Sequence, residues 1–227
     1  MIYILVIIAV LVALAVFAAA SFRMDLNVYL KSYCKDINEA GRAVMISFDD
    51  GPHPVYTAEV LDVLKQRGVK ALFFLIGEKA LENPHLVSRI ASEGHMIGIH
   101  SLTHSAEFTI YSKKRVKRDL EASKKILEEI SGQNVKLFRP PFGVTNPSIG
   151  KAVNELGLIS VGWSVRSFDT ISENDIEKTT KRVVKRVKHG SILLLHDRLS
   201  NSARLLENIL DYLEVNNYES KIFKRVL

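Results

Sequence analysis

The chain opens on an unbroken apolar run, MIYILVIIAVLVALAVFAAASF, and no charged side chain occurs before Arg23. About 20 such residues wound as a helix match a hydrocarbon core of roughly 30 Å, so residues 1–22 read as a transmembrane anchor. An uncleaved or cleaved signal is the alternative, because Ala18, Ala19 and Ala20 before Ser21 place small residues at a candidate cut. Against cleavage, no Lys or Arg precedes the run, and it exceeds the ~7–15 apolar residues usual for a signal. Polar residues 23–42 read as a linker. Beyond them short apolar runs alternate with longer amphipathic ones, with no low-complexity tract and no close repeat.

Strands are predicted at 43–48, 71–76, 96–100, 136–140, 158–165 and 191–196, with a seventh at 221–226. Helices are predicted at 57–68, 84–94, 114–132, 148–157, 175–190 and 202–215. Gly68, Gly94, Gly132, Gly157 and Gly190 stand where a residue without Cβ tolerates the left-handed turn that ends a helix. Repeated strand–helix units imply parallel strands joined by right-handed crossovers. The predicted fold is therefore α/β, a distorted (β/α) barrel of about seven parallel strands behind an N-terminal transmembrane helix, with residues 43–227 as its catalytic domain. An open doubly wound sheet is the other arrangement of such units, but no Gly-rich dinucleotide fingerprint follows the first strand.

A barrel carries its working residues at the C-terminal ends of its strands. Polar residues gather there: Asp49 and Asp50, His100 and His104, Arg139, Asp169, His196 and Asp197. The pair His100 and His104, four apart as on one helical turn, has metal-ligand spacing, although two such histidines are alone a weak signal. A nearby carboxylate completes a two-histidine, one-acid set for a divalent cation, zinc being the expected one, although non-haem iron uses a similar set and ligand type does not settle the metal. Consecutive residues leaving a strand point to different sides. One of Asp49 and Asp50 can therefore hold the ion while its neighbour accepts a proton, whereas DDGP in isolation reads as two acids opening a turn.

Composition narrows the partners. Of 227 residues, 47% are hydrophobic and 25% charged, enough for one domain with a full core. A single cysteine, Cys34, excludes an internal disulfide framework and a Cys-rich zinc module. The net charge of +6 suits an acidic polymer or an anionic lipid surface. Its basic runs at 113–118 and 181–188 have helical periodicity and read as solvated faces. No recognition motif accompanies the charge, so neither nucleic acid nor a protein partner is expected.

The segments SFDDGP, HSLTH, RPPFG, WSVRSFDT and LLLHD, in this order and spacing, resemble the motifs of the polysaccharide deacetylase family, the NodB homology domain of carbohydrate esterase family four. The resemblance spans about residues 43–200. It implies a metal-dependent hydrolase removing acetyl groups from N-acetylated sugars. It implies Asp49 as general base, with Asp50, His100 and His104 as metal ligands. It also implies Arg139 bracing Asp49, the Phe142 N–H on the oxyanion, Leu194 lining the acetyl pocket, and His196 as acid oriented by Asp169. Family members often carry Tyr where Phe142 stands. The common pattern WSVDxxDW is replaced at Arg166 and Thr170, which bears on substrate preference. Trp163 reads as core, and His95 as support behind the site. His53, His85 and His189 read as loop or helix-end residues.

The expected substrate is an acetylated glycan of the cell envelope such as peptidoglycan, reached from a membrane-anchored, extracytoplasmic domain. Arg23, Lys31, Lys35 and Arg42 after the span argue for the other side by the positive-inside rule. A deacylase of a lipid-linked sugar and a catalytically silent glycan-binding protein are the competing readings.

Overall fold

The computed structural model describes residues 2–171 and 175–226; the outermost residues of the predicted anchor and catalytic ranges, Met1 and Leu227, lie outside them. The apolar run forms α1 (Ile2–Ser21), which alone among the described residues is long and apolar enough to cross a membrane. A two-residue strand, β1 (Ser32–Tyr33), follows within the polar segment. The alternating series then runs β2 (Ala43–Gly51), α2 (Tyr56–Arg67), β3 (Leu72–Leu75), α3 (Gly77–Glu82), α4 (Pro84–Ser92) and β4 (Met96–Ile99). It continues with α5 (Lys113–Ser131), β5 (Leu137–Phe138), α6 (Pro147–Glu155), β6 (Ile159–Val161), β7 (Val165–Arg166), α7 (Ile176–Val184), β8 (Ser191–His196), α8 (Ser202–Val215) and β9 (Glu219–Ser220).

The strands pair in the order β1-β6-β5-β4-β3-β2-β8-β7, every neighbour parallel, and β9 joins β2 off this path. Eight strands on the path replace the seven expected. The sheet curls as a barrel but stays open, since β1 and β7 are its two ends. Residues 32–36 lie across that seam. Tyr33 O accepts from Gly162 N at 2.8 Å, and Lys35 bridges antiparallel to Ser191.

Three further expectations change. The apolar stretch 158–165 breaks into β6 and β7, because residues 162–164 leave the ladder and Gly162 closes against Cys34, where a Cβ would meet Sγ at 2.6 Å. The C-terminal stretch 221–226 is no strand: Phe223 and Val226 are buried beside a 3₁₀ turn, and the strand lies just before it at Glu219–Ser220. Helix α7 ends at Val184, so Gly190 is not its cap but a turn residue entering β8 beside the Asp36 carbonyl. The short helix α3 had no signal in the hydrophobic pattern.

β2 shows why a site forms at one rim. All nine of its residues are buried. Val44, Ile46 and Phe48 pack outward into the core between sheet and helices, while Ala43 and Met45 join the smaller cluster inside the barrel. The same inward series continues through Ser47 to Asp49, so the barrel interior is apolar at its base and polar at its mouth. Leu194 and His196 share one face of β8 in the same way. At Gly98 on β4 a side chain packs directly on the backbone: a Cβ there would meet the Phe74 ring at 2.5 Å. Gly98→Ala is therefore expected to destabilise the fold by about 1–3 kcal/mol through overpacking, read as a lower midpoint of thermal unfolding.

Candidate active site

Asp49 ends the inward row of β2 and sits over Arg139, which follows β5 and is fully buried. Arg139 Nη1 donates to Asp49 Oδ1 at 2.6 Å and to Ser47 Oγ at 2.9 Å. Its Nε donates to Val161 O, and its Nη2 to Gly162 O. The guanidinium lies 4.1 Å from the Phe74 ring centroid, capping the apolar floor. A buried cation held by so many acceptors leaves Asp49 one free direction, toward the cleft.

Asp50 reaches the same cleft because the strand is irregular. The register of β2 against β3 shifts between Asp49 and Gly51, and Asp50 has φ 72°. This bulge re-aims a side chain that regular alternation would send outward. The turn beyond it is packed against Asp197, whose carboxylate stands where a Cβ on Gly51 would be. Asp197 is itself buried; burial pushes its carboxyl up to about 6, against the hydrogen bond from Thr57 Oγ1.

His100 and His104 do not lie on a helical turn. They belong to a loop after β4 in which Ser101 and His104 have φ 67° and 56°. Local hydrogen bonds fix that loop: Asp119 accepts from Leu102 N, Ser101 Oγ accepts from His104 N, and Ser123 Oγ donates to Ser101 O. The two rings end 4.9 Å apart, and His104 packs against Phe142 at 4.6 Å. His100 Nε2 and His104 Nε2 approach Asp50 Oδ1 at 3.4 and 3.3 Å.

These three side chains fit a cation. Their ligand atoms lie within 4.8 Å of one another. Separations of 3.3–3.4 Å match the edge of a tetrahedron with ligands at ~2.1 Å, roughly 3.4 Å. His100 Nδ1 donates to Arg139 O at 2.8 Å, which leaves the Nε2 lone pair facing Asp50. Burial, then the charge of His100, pushes His104 down to about 4, so its ring is neutral and able to ligate. Burial alone would raise Asp50, but the hydrogen bond and charge of His100, with His196 and His104, hold it well below the usual carboxylate range.

His196 closes the other side, its Nε2 3.9 Å from Asp50 Oδ2. Asp169 Oδ1 accepts from His196 Nδ1 at 2.7 Å, and Asp169 Oδ2 accepts from its backbone N at 2.9 Å. Burial lowers the His196 pKa, but the Asp169 hydrogen bond and charge, with Asp49 and Asp50, outweigh it and raise the ring above its ordinary value. Leu194, buried, lies two residues back on the same face, and Phe142 is half-exposed at the rim. All nine residues singled out from the motifs are thus within this rim and its support.

Four features escaped the sequence reading. Arg198 Nε donates to Asp50 Oδ2 at 2.9 Å and Lys79 Nζ donates to Asp50 O at 2.8 Å. Arg198 adjoins LLLHD and was legible as its neighbour; Lys79 carried no signal. Trp163 is half-buried between β6 and β7, against Gly143, rather than in the core. His95 precedes β4, accepts from Ala71 N at the start of β3, and so lies at the opposite end of the sheet from Asp50. Arg166 is exposed over the Phe168 ring, and Thr170 N donates to Asp169 Oδ1.

A curled parallel α/β barrel whose strand ends gather a carboxylate and two imidazoles around an ion-sized space, flanked by a further acid and histidine, is the framework of a metal-dependent hydrolase. The family model described as polysaccharide deacetylase matches residues 36–161, and the chain belongs to that family. It is 36% identical over 181 residues to a peptidoglycan-N-acetylglucosamine deacetylase of Bacillus cereus, covering 78% of this chain and 84% of the relative. Among solved structures, a peptidoglycan N-acetylglucosamine deacetylase bound to a naphthalenyl N-oxidanyl-benzamide is similar, with a TM-score of 0.78 and 29% identity over 88% of this chain and 94% of that one. A mutant pseudoenzyme of carbohydrate esterase family four with restored activity also has a TM-score of 0.78, with 25% identity over 86% of this chain and 70% of that one.

Proposed function

We propose that this protein is a membrane-tethered deacetylase removing acetyl groups from N-acetylglucosamine units of a cell-envelope glycan, peptidoglycan above all. Asp50, His100 and His104 would hold the divalent cation, which two imidazoles and one carboxylate suit to zinc; when bound it polarises the acyl oxygen and acidifies water. Asp49, pinned by Arg139, accepts a proton from water as the water oxygen bonds to the acetyl carbon. The Phe142 N–H donates to the oxyanion that forms, and Leu194 faces the acetyl methyl. As the carbon–nitrogen bond breaks, His196 passes its proton to the departing nitrogen, leaving acetate and a free amine. Asp169 holds the His196 ring and its charge.

The observation that carries this reading is the placement of Asp49 and His196 about one carboxylate, Asp50, each held by a separate buried partner. A pseudoenzyme shares the fold, so fold alone does not decide turnover; the full set of side chains supports it over a silent glycan binder. Acetate release by the purified full chain from N-acetylated peptidoglycan and chito-oligosaccharides, with elemental analysis for zinc, tests the proposal. No release from any acetylated glycan by zinc-loaded protein would refute it.

The pH profile gives a second test. A group raised by a neighbouring carboxylate keeps its proton below its folded pKa and loses it as pH rises, so activity is expected to hold to above pH ~6.5 and fall beyond. Asp169→Asn removes the main raising influence and should move that alkaline limb to lower pH. An unshifted limb would take the acid role away from His196. For α1, protease access to the catalytic domain from outside spheroplasts but not from inside-out vesicles is the result expected of an extracytoplasmic enzyme.

A further inference from the structure

The cavity over the open seam of the barrel holds about 980 Å³, adjoins the catalytic rim through Trp163 and is lined by none of the nine residues assigned to the site. Six cations line it, Arg23, Lys31, Lys35, Arg166, Arg186 and Arg225, against one acid, Asp25. Arg23 is taken by Asp25 through two hydrogen bonds at 2.8 and 2.7 Å. Among the described residues none of the other five has a carboxylate within ion-pair distance. Arg166 and Arg225 instead lie 4.8 and 4.6 Å from the ring centroids of Phe168 and Tyr33. Five uncompensated cations around one concavity focus a positive potential that only an anion relieves.

Its position specifies the source of that anion. The cavity wall begins at Phe22 and Arg23, directly after the last residue of α1. The chain holds it close to α1: Ser21 O accepts from Thr145 N at 2.9 Å, and Ala20 is buried. With α1 across a bilayer, the groove opens within about one Debye length, ~8–10 Å, of the lipid surface. Phe22 is 71% exposed at that level, as an interfacial aromatic side chain would be.

We propose that this groove binds the phosphate headgroups of anionic phospholipids and docks the catalytic domain against the membrane. The inference rests on the reading of α1 as an anchor and on no feature of the catalytic reading. Phosphate oxygens accept from the Arg forks, and the glycerol backbone lies toward Tyr33 and Trp163.

The protein contains one tryptophan, Trp163, and it lines the groove, so its emission reports occupancy. Full-length protein in neutral detergent micelles is titrated with dihexanoyl phosphatidylglycerol, dihexanoyl phosphatidylcholine and inorganic phosphate. A saturable change with the glycerol lipid alone is expected. Near an anionic surface each cation contributes about fivefold, so Arg186→Gln with Arg225→Gln should weaken half-saturation roughly 10- to 30-fold. The Arg186→Lys, Arg225→Lys pair keeps both charges but not the forks and should weaken half-saturation by less than the glutamine pair, which separates charge from folding. Equal responses to the two lipids, an unmoved glutamine variant, or inorganic phosphate matching the lipid would each overturn the proposal. Alkaline washing of membranes isolates the anchor: release of the chain would overturn the membrane as source, whereas retention with a failed titration would overturn the groove alone.

Discussion

Asp49→Asn is expected to lower kcat by roughly 10²- to 10⁴-fold while cation content stays near that of the unsubstituted protein. Asparagine keeps the shape of the side chain but cannot take a proton from water. The same substitution should also cost stability, because it leaves Arg139 fully buried without its opposite charge. Breaking a buried pair from one side costs about 3–5 kcal/mol. For a domain of this size that is a fall of several degrees, at about 2–4 °C per kcal/mol, in the thermal midpoint. Asp49→Asn combined with Arg139→Gln removes both charges and should recover part of the midpoint but none of the turnover. Activity and stability therefore separate in the double variant. A single variant that hydrolyses at the original rate would end the assignment of Asp49 as base, whatever its stability.

His100→Ala is expected to take the protein from near one bound divalent cation per chain to near none, read by elemental analysis after dialysis. The ring it removes would supply one of the three proposed ligand atoms, and its Nδ1 bond to Arg139 O is what turns Nε2 toward Asp50. Loss of the several kcal/mol that a bound cation contributes to the reaction implies a fall of roughly 10³-fold or more in kcat/KM. Chelator treatment of the unsubstituted protein should produce the same loss, reversed by zinc, whereas the variant should not recover. Arg198→Gln is the informative contrast. It frees Asp50 Oδ2 but leaves Oδ1 facing both imidazoles, so zinc content should survive. Undiminished metal in His100→Ala would show that the ion, if bound, lies elsewhere.

The convergence of the candidate site residues was legible because the polar ones fall where apolar runs stop, and because a parallel barrel turns those stops into one rim. Asp49 is the clearest case, since it continues the inward series of Ala43, Met45 and Ser47. Asp50 is different: only the bulge at φ 72° brings it into the same cleft. The histidine pair was found by its spacing but for the wrong local reason, as its two rings converge from a loop held by Asp119 and Ser123 rather than from a helical turn. Trp163 reads as core in the sequence because it falls inside the predicted strand 158–165. The ladder breaks at Gly162–Ser164, which leaves the indole on a wall instead.

Element order, the apolar N-terminal helix and the polar punctuation of strand ends were set residue by residue, because burial on one face of a strand or helix repeats with that element's own period. Contacts between distant segments have no such period. Arg198 beside Asp50, the seam left open between β1 and β7, and the cluster of cations above that seam arise only when the packed barrel brings those segments together. The identity of the side chains was in the chain order; which of them share a cavity was decided by the curvature of the sheet and the irregularities in its strands.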